Sequence, residues 1–408
     1  MRTLLTGFIV TGIALLNGCG GAQPPIGVPG ISSPGTSTSE APDGTYTVLH
    51  NFKGGHDGKF PSAQNAPLVN KHGLLYGTTE EGGTGCEGSS GCGTIFSVAP
   101  GGPERVIYAF KGAPDAGFPA GPPINFNRDW YGLTSRGGAS NDGAVFKVDN
   151  SGHERVVYSF KGGNDGSQPF GGLFKYHGLF YGTTSYGGKH RLGTIFSVSS
   201  SGVESVVHSF GFHDGQHPYA GLTELKGTLY GTTTEGGADD FGAVFSISSA
   251  GKERVIYSFK YGTDGASPQA SLTATDGELY GTTTGGGGQG YIGTVFEVSP
   301  SGKELLLHRF QESLNDGIYP QSQLVYLNGT LYGTTSSGGK QDLGIVFSVT
   351  LSGKERVLHN FRGAPPRGED PAGGLAAIDN SLYGMTSNGG TGPCYKGQGC
   401  GTIFTLTL

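Results

Sequence analysis

The motif Tyr-Gly-x-Thr recurs seven times along the chain at nearly constant spacing, and this repeat constrains the fold more than any other feature. The spacings run from 49 to 55 residues, and the tyrosines are Tyr76, Tyr131, Tyr181, Tyr230, Tyr280, Tyr332 and Tyr383. A fixed period of this size is the signature of a repeat architecture in which each copy is one supersecondary unit. The sequence therefore predicts seven similar units.

Each repeat contains four strand-like runs separated by glycine-containing turns. In the third repeat the runs are 170–176, 179–184, 193–198 and 206–210. Residues that favour strands, bounded by glycine turns at this spacing, predict antiparallel strands. Four strands in about 50 residues predict one blade of a β-propeller.

The repeats begin and end out of phase. An extra fourth-type strand, 46–52, precedes the first repeat, and the last repeat stops after its third strand, at 401–408. We therefore predict an all-β, seven-bladed propeller of four-stranded blades over residues 45–408. The N-terminal strand would complete the last blade and remove the exposed edges of an open array. The order resembles that of kelch-type propellers, with first strands at the channel and fourth strands at the rim.

Composition narrows the class of partner. The 408 residues carry a formal net charge of -6 and 14% charged residues. Because no basic cluster occurs, a nucleic-acid partner is not expected.

The first 44 residues have the features of an export signal and a tether. Residues 1–18 carry an early Arg and an apolar run shorter than the ~20 residues of a membrane span, which predicts a secretory signal peptide. Residues 16–19 (Leu-Asn-Gly-Cys) resemble the bacterial lipobox, and this resemblance implies cleavage before Cys19 and lipidation of its thiol. An ordinary cleaved signal peptide is the alternative. Residues 19–44, rich in Pro, Gly, Ser and Thr, predict a flexible tether.

Four further cysteines form two pairs with the same spacing. Cys86 and Cys92 lie in the first repeat, and Cys394 and Cys400 lie in the same loop of the last repeat. Two local disulfides in an oxidising compartment are the simplest interpretation. A four-cysteine metal site is the alternative, although zinc usually takes more closely spaced pairs.

The repeated pattern L-Y-G-T-T-x-x-G-G-x4-G-[TA]-[IV]-F resembles the Gloeo/Verruco (GloVer) tandem repeat of bacterial exported proteins. The resemblance covers residues 46–408, with departures at Leu133, Ile345 and Met385. It implies an exported, surface-anchored protein, and it implies no enzymatic activity.

An aspartate recurs four residues before a proline, between the fourth strand of one repeat and the first strand of the next. These residues are Asp57, Asp115, Asp165, Asp214, Asp264 and Asp316. They predict a ring around one channel mouth that would hold a cation such as calcium or a polyol, or else aspartates that bond their own turns. We favour the turn interpretation, because Arg367 occupies the position in the seventh repeat. No resident cofactor or metal is expected.

Other polar positions have ordinary structural interpretations. A fourth-strand position is His in four repeats and Tyr in three, which predicts a packing site with a polar tip. Glu-Arg pairs at the start of fourth strands, such as Glu104-Arg105, predict solvated edge charges. His213 and His217 flank Asp214 and are the densest metal-like group, but no fourth ligand follows in sequence.

The second-to-third loop is longest in repeats one and seven, which become neighbours when the ring closes. These cysteine-containing loops predict a binding surface over one sector of the mouth, or a reinforced closing seam. Their polar and aromatic content is Glu87, Tyr395, Lys396 and Gln398.

Three functions remain open from the sequence. The first is a membrane-anchored surface module that binds a glycan, an envelope polymer or a protein. The second is a structural surface protein without a discrete ligand. The third is a propeller lyase or hydrolase, which the nearly uncharged first strands disfavour because glycoside hydrolysis needs two facing carboxylates.

Overall fold

The computed structural model describes residues 44–61, 67–86, 90–248, 250–288, 292–311, 315–363, 365–371, 373–394 and 397–408. The chain divides into two units after Pro42, and everything described lies in the second. Signal residues 1–18, Cys19 and nearly all of the predicted tether lie outside the described residues. No helix among the described residues is long and apolar enough to cross a membrane.

The second unit is an all-β propeller of seven antiparallel four-stranded blades, as predicted. We number the blades by repeat and call their strands inner, second, third and outer. The inner strands are Val69–Lys71, Ala116–Phe126, Phe174–Tyr176, Thr223–Leu225, Thr273–Thr275, Val325–Leu327 and Ala376–Ile378. The second strands are Leu74–Glu81, Asp129–Gly137, Leu179–Thr184, Thr228–Thr233, Glu278–Thr283, Thr330–Gly338 and Ser381–Thr386.

The outer half of each blade follows the same plan. The third strands are Thr94–Val98, Ala144–Val148, Thr194–Val198, Ala243–Ile247, Thr294–Val298, Ile345–Thr350 and Thr402–Thr407. The outer strands are Glu104–Ala109, Glu154–Ser159, Glu204–Ser209, Glu253–Ser258, Glu304–Arg309 and Glu355–Asn360, with Tyr46–Asn51 in blade 7. Three short strands, Lys59–Pro61, Gly317–Pro320 and Gly368–Glu369, extend the connections between blades, and a fourth, Asn388–Gly389 in the second-to-third loop of blade 7, pairs with Gly368–Glu369.

The N-terminal strand closes the ring. Tyr46–Asn51 pairs antiparallel with Thr402–Thr407, so the first strand of the propeller is the outer strand of the last blade. This confirms the closure that the out-of-phase repeats predict. The strand that would otherwise be an open edge is paired within the molecule.

The Tyr-Gly-Thr-Thr motif lies on the second strand, and its residues have distinct packing roles. A Cβ added to Gly231 would lie 2.5 Å from Cζ of Phe245 on the third strand, so only glycine leaves room for that ring. The first threonine reaches the next blade: Thr183 Oγ1 donates to the carbonyl oxygen of Ala220 at 2.8 Å. The second bonds within the blade, as Thr184 does with Thr194.

Phenylalanine pairs join every blade to the next. The residue after each outer strand contacts a third-strand phenylalanine of the following blade, edge to face, with ring centroids 4.9–5.3 Å apart. The pairs are Phe52–Phe96, Phe110–Phe146, Phe160–Phe196, Phe210–Phe245, Phe259–Phe296, Phe310–Phe347 and Phe361–Phe404. Each ring is at most 1% exposed, and such pairs contribute about 0.5–1.5 kcal/mol beyond the area that they bury.

Each outer strand contains a β-bulge. Its register with the third strand shifts by one residue, for example between Val48 and His50 and between Val156 and Tyr158. A bulge bends a strand and changes the direction of the side chains that follow it. It therefore sets the orientation of the His or Tyr ring that recurs immediately after the bulge.

The propeller axis is nearly closed by backbone. A Cβ on Gly171 would lie 2.5 Å from the backbone N of Gly221, and the axial space here is about 20 Å³, room for about one water molecule. Beyond it, a funnel of about 660 Å³ opens between the inner strands of blades 3 to 6. Among the described residues that line this funnel, Glu224 is the one with a carboxylate side chain. This carboxylate accepts a hydrogen bond from the backbone N–H of Gly227.

We predict that Gly231→Ala destabilises the propeller by about 1–3 kcal/mol, because the methyl group overpacks the space against Phe245. The measurement is the change in denaturation midpoint. The control is Gly262→Ala, because a Cβ at Gly262 meets no atom within 4 Å and its backbone is not left-handed. Equal midpoints for the two variants would contradict this account of the motif.

Candidate binding face

The connections between second and third strands and those from outer to inner strands share one end of the propeller, which we call the loop face. On this face each blade is bonded to the next. The residue before each inter-blade proline donates its backbone N–H to the end of the preceding second-to-third loop, for example Phe118 to Cys92 O at 2.8 Å and His217 to Leu192 O at 2.9 Å. These residues adopt left-handed conformations, with φ of 53° at His217.

The six predicted aspartates lie at the seams between outer strands of neighbouring blades. Each accepts a hydrogen bond from a backbone N–H of its own connection, such as Lys161 N to Asp165 at 2.7 Å. The corresponding donors to the other aspartates are the N–H groups of Lys53, Lys111, Gly211, Lys260 and Gln311. The structure thus supports the turn interpretation and places these carboxylates away from the axis, contrary to a ring around the channel mouth.

The ring that follows the bulge supplies a second hydrogen-bond partner for five of the six aspartates. The hydroxyl groups of Tyr108, Tyr158 and Tyr257 donate to Asp115, Asp165 and Asp264 at 2.6–2.8 Å. In other seams His50 and His208 contact Asp57 and Asp214 through Nε2 at 3.2 and 2.9 Å. The predicted packing position with a polar tip is therefore a hydrogen-bonding position directed at the aspartate.

A glutamate from the next blade completes each of these six seams. Glu104, Glu154, Glu204, Glu253, Glu304 and Glu355 begin the outer strands, and one carboxyl oxygen of each is buried without a hydrogen-bond partner. Burial raises the pKa of each glutamate, and the nearby Asp adds to the effect: the pKa is about 9 for Glu154 and about 8 for Glu104. The prediction that the Glu-Arg pairs are solvated edge charges is therefore wrong for the glutamates of those pairs, because one carboxyl oxygen of each is buried between two blades.

The seventh seam differs at both acidic positions. Arg367 replaces the aspartate, and Tyr46 takes the place of the glutamate. The Tyr46 ring stacks on His359 with centroids 4.1 Å apart and an interplanar angle of 2°, and burial raises the pKa of Tyr46 to about 12. The two acids are thus present together or absent together, which is expected if they share a proton.

Both predicted disulfides form, and each lies against a connection between blades. Cys86 pairs with Cys92 and Cys394 with Cys400. Cys400 O accepts from Phe60 N at 3.0 Å, in the connection that leads from the N-terminal strand into blade 1. Gln398 is exposed, and its carbonyl oxygen accepts from Gly389 N. Glu87, Tyr395 and Lys396 lie outside the described residues.

His213 and His217 do not join Asp214, whose histidine partner is His208. His213 is exposed. His217 instead contacts Ser185 O through Nδ1 at 2.9 Å, and its Nε2 lies 3.9 Å from a carboxylate oxygen of Glu235.

His217 belongs to a cluster of rings on the loop face at blades 3 and 4. We call Phe170, Tyr186, His217, Tyr219 and Glu235 the aromatic patch. Phe170 and Tyr219 stack with centroids 5.1 Å apart, the Tyr186 and Tyr219 hydroxyl groups are 3.2 Å apart, and Tyr186 lies 4.9 Å from His217. Tyr186 is 36% exposed and Glu235 is 59% exposed.

The aromatic patch reaches the propeller axis, because Tyr219 also lines the narrow axial space. Its residues are separated by up to 65 positions in the chain and are brought together by the packing of blade 3 against blade 4. The patch therefore presents flat apolar rings edged by hydroxyl, imidazole and carboxylate groups at one mouth of the propeller.

The chain matches the Gloeobacter/Verrucomicrobia repeat family over residues 30–245, 85–292 and 235–408. It belongs to this family. A search of curated proteins finds no match.

The solved structures found to be similar to this chain have low sequence identity and TM-scores below 0.5. A PQQ-bound aldose sugar dehydrogenase from Streptomyces coelicolor is 14% identical, covering 89% of this chain and 98% of its own, with a TM-score of 0.45. A putative 6-phosphogluconolactonase from Bacteroides uniformis is 15% identical, and the match covers 72% of this chain and 84% of that protein, with a TM-score of 0.46. The phage phi92 endosialidase is 10% identical, and the match covers 90% of this chain and 69% of the endosialidase chain, with a TM-score of 0.45.

Sequence reasoning missed the aromatic patch and the inter-blade acid pairs of this repeat protein. The sequence does indicate the acid pairs, because the Glu and the Asp are both replaced at the same seam, the seventh. The signal for the patch was a departure from the repeat: Phe170 and Tyr219 follow prolines at the position where blades 5 and 6 have Gln269 and Gln321.

We predict that Glu154 makes the propeller less stable as the pH rises. Its pKa is raised in the folded state to about 9 from an ordinary 4.5, so its contribution is fully present below about pH 4.5 and is lost as the pH approaches 9. Glu154→Gln, which mimics the protonated acid, should be the more stable protein at pH 8–9, by about 1 kcal/mol after allowance for solvent screening.

The measurement is the thermal midpoint between pH 5 and pH 9. Glu235→Gln is the control, because the Glu235 side chain is 59% exposed and its replacement should leave the pH profile unchanged. Parallel profiles for wild type and Glu154→Gln would contradict a protonated Glu154.

Proposed function

We propose that this protein is a non-catalytic, exported and membrane-anchored module that binds a glycan or a similar envelope polymer on its loop face. The observation that supports the proposal is the aromatic patch. Rings that are grouped and partly exposed on a rigid face are characteristic of recognition sites, whereas single exposed apolar residues are common on any surface.

The chemistry of the patch suits a polyhydroxylated ligand. Phe170 and Tyr219 are half-buried and stack on each other at 22°, so a ring face turned away from the stack is what could meet the apolar face of a sugar ring. The hydroxyl groups of Tyr186 and Tyr219 and the Glu235 carboxylate lie at its edge and can bond to ligand hydroxyl groups. Tyrosine suits this role because its ring is apolar and its tip is polar.

A catalytic role is less well supported by the positions of the acids. Asp214 and Asp264, which a hydrolase or lyase would draw on, are bonded to His208 and Tyr257 in the rim seams. The aromatic patch contains a single carboxylate, Glu235, among its defined residues, whereas glycoside hydrolysis needs two. We propose no cofactor for this function and no nucleic-acid partner.

The N-terminal sequence and the disulfides support the proposed location. Cys86–Cys92 and Cys394–Cys400 suit an oxidising, extracytoplasmic compartment. We propose that Cys19 carries the lipid and that residues 19–44 hold the propeller away from the membrane. The loop face would then be available to extracytoplasmic polymers.

The patch can be tested by replacing its residues with those found at the equivalent positions of other blades. We predict that Tyr219→Gln combined with Phe170→Ala weakens binding to the glycan at least tenfold while the thermal midpoint stays near that of wild type, because blade 5 has Gln269 and blade 2 has Ala120 at these positions. The measurement is co-sedimentation of residues 22–408 with insoluble envelope and plant polysaccharides, followed by calorimetry with oligosaccharides of the best polymer.

Tyr319→Ser is the matched control, because Tyr319 is 40% exposed on the loop face outside the patch and blade 5 has Ser267 at the same position. Binding lost in the control as strongly as in the double variant would contradict a site at the patch. Binding lost only when the loops 84–92 and 391–400 are shortened would move the site to blades 1 and 7. Absence of polysaccharide binding, with self-association of the soluble domain, would favour a structural role.

The membrane anchor has its own test. We predict that Cys19→Ser abolishes incorporation of labelled fatty acid and moves the protein from the membrane fraction to the soluble extracytoplasmic fraction, because the thiol is the acylated atom. Cys86→Ser with Cys92→Ser serves as the control and should retain the label. Membrane retention of Cys19→Ser would contradict a lipid anchor.

A further inference from the structure

Three rim seams bring together a nitrogen ligand and two carboxylates. In each, one ligand atom from His, one from Asp and one from Glu lie within 4.8 Å of one another. The sets are His50, Asp57 and Glu104 between blades 7 and 1; His208, Asp214 and Glu253 between blades 3 and 4; and His308, Asp316 and Glu355 between blades 5 and 6. We propose that these three seams bind divalent transition metal ions of the zinc type.

The seam between blades 5 and 6 carries the strongest geometry. His308 Nε2 and Glu355 Oε1 are both buried, and neither has a hydrogen-bond partner among the described residues. His308 Nε2 lies 3.7 Å from Asp316 Oδ2, which is too far for a hydrogen bond. Two ligands at ~2.1 Å from one tetrahedral ion are about 3.4 Å apart, so a small side-chain movement would place both atoms on a metal.

The ligand type selects the metal class. Imidazole nitrogen with carboxylate oxygen suits Zn²⁺ and its neighbours among the transition metals. Calcium takes six to eight oxygen ligands, whereas each seam offers one nitrogen and two carboxylate groups. Three protein ligands leave the fourth tetrahedral position to water.

Three other seams of the same propeller have tyrosine where these have histidine. The seams with Tyr108, Tyr158 and Tyr257 keep the same Asp and Glu but replace the imidazole by a phenol, whose hydroxyl group donates to the Asp. A neutral phenol at this place is a proton donor and a poor metal ligand. The tyrosine seams should therefore hold a proton where the histidine seams hold a metal ion.

The ligands belong to different blades, and this gives the metal a structural effect. His308 and Asp316 come from the outer strand of blade 5 and the connection that follows it, and Glu355 begins the outer strand of blade 6. An ion bound here would link two blades at the rim. Because the ion binds the folded protein, it would raise the thermal midpoint by mass action.

The test is calorimetric titration of residues 22–408, purified without a histidine tag, with ZnCl₂, and absorption spectroscopy with CoCl₂. We expect three equivalents of metal, a Co²⁺ visible spectrum typical of four-coordination, and a raised thermal midpoint. Each of His50→Tyr, His208→Tyr and His308→Tyr should remove one equivalent without loss of folding, because tyrosine already occupies this position in three seams. Tyr158→His should add a fourth equivalent.

His213→Tyr is the control for exposed histidines and should leave the stoichiometry unchanged, since His213 is exposed and outside the three sets. Zinc binding with the same stoichiometry in His308→Tyr and wild type would overturn the proposal. Absence of zinc binding to the wild-type protein would overturn it equally.

Discussion

The edge-to-face phenylalanine pair between neighbouring blades is the contact on which the rest of the propeller depends. A four-stranded blade has no core of its own, and it becomes stable only when its faces are covered by the blades beside it. Phe210 from blade 3 packs on Phe245 of blade 4, and the same pair recurs at every seam, including Phe52–Phe96 where the ring closes. The glycine of each Tyr-Gly-Thr-Thr motif is required because it leaves room for this third-strand ring.

Polar groups at the rim depend on that packing. Once the phenylalanines hold the outer strand of one blade against the next blade, the Glu of one blade is enclosed beside the Asp of the other, and burial disfavours the ionised form of the Glu. The bulge in each outer strand directs His or Tyr at the same Asp. Each seam is therefore a small polar network of Glu, Asp and an aromatic side chain beside an apolar contact. Whether that side chain is Tyr or His determines whether the seam holds a proton or, as we propose, a metal ion.

The aromatic patch arises where the repeat is broken. Phe170 and Tyr219 replace residues that are small or polar in other blades, and they lie together because blade 3 packs on blade 4. A regular scaffold thus holds a local surface in a fixed geometry, and substitutions on the loops can alter that surface without disturbing the phenylalanine contacts beneath it. This separation of scaffold from surface is how propellers can accommodate a binding site at small cost in stability.

The sequence by itself determined the architecture: seven repeats marked by Tyr-Gly-x-Thr, four strands in each repeat, the out-of-phase ends and the two cysteine pairs led to the closed ring that the structure confirms. These features are local or periodic, so they can be recognised in a single sequence. The tertiary structure alone decided which side chains meet across blades. The pairing of Glu253 with Asp214 and of Phe170 with Tyr219, and the turn of His217 toward Glu235 and away from Asp214, depend on the bulges and on the approach of neighbouring blades. A period of about 50 residues encodes the blade, but the distance between side chains of adjacent blades is set by packing, which no local pattern specifies.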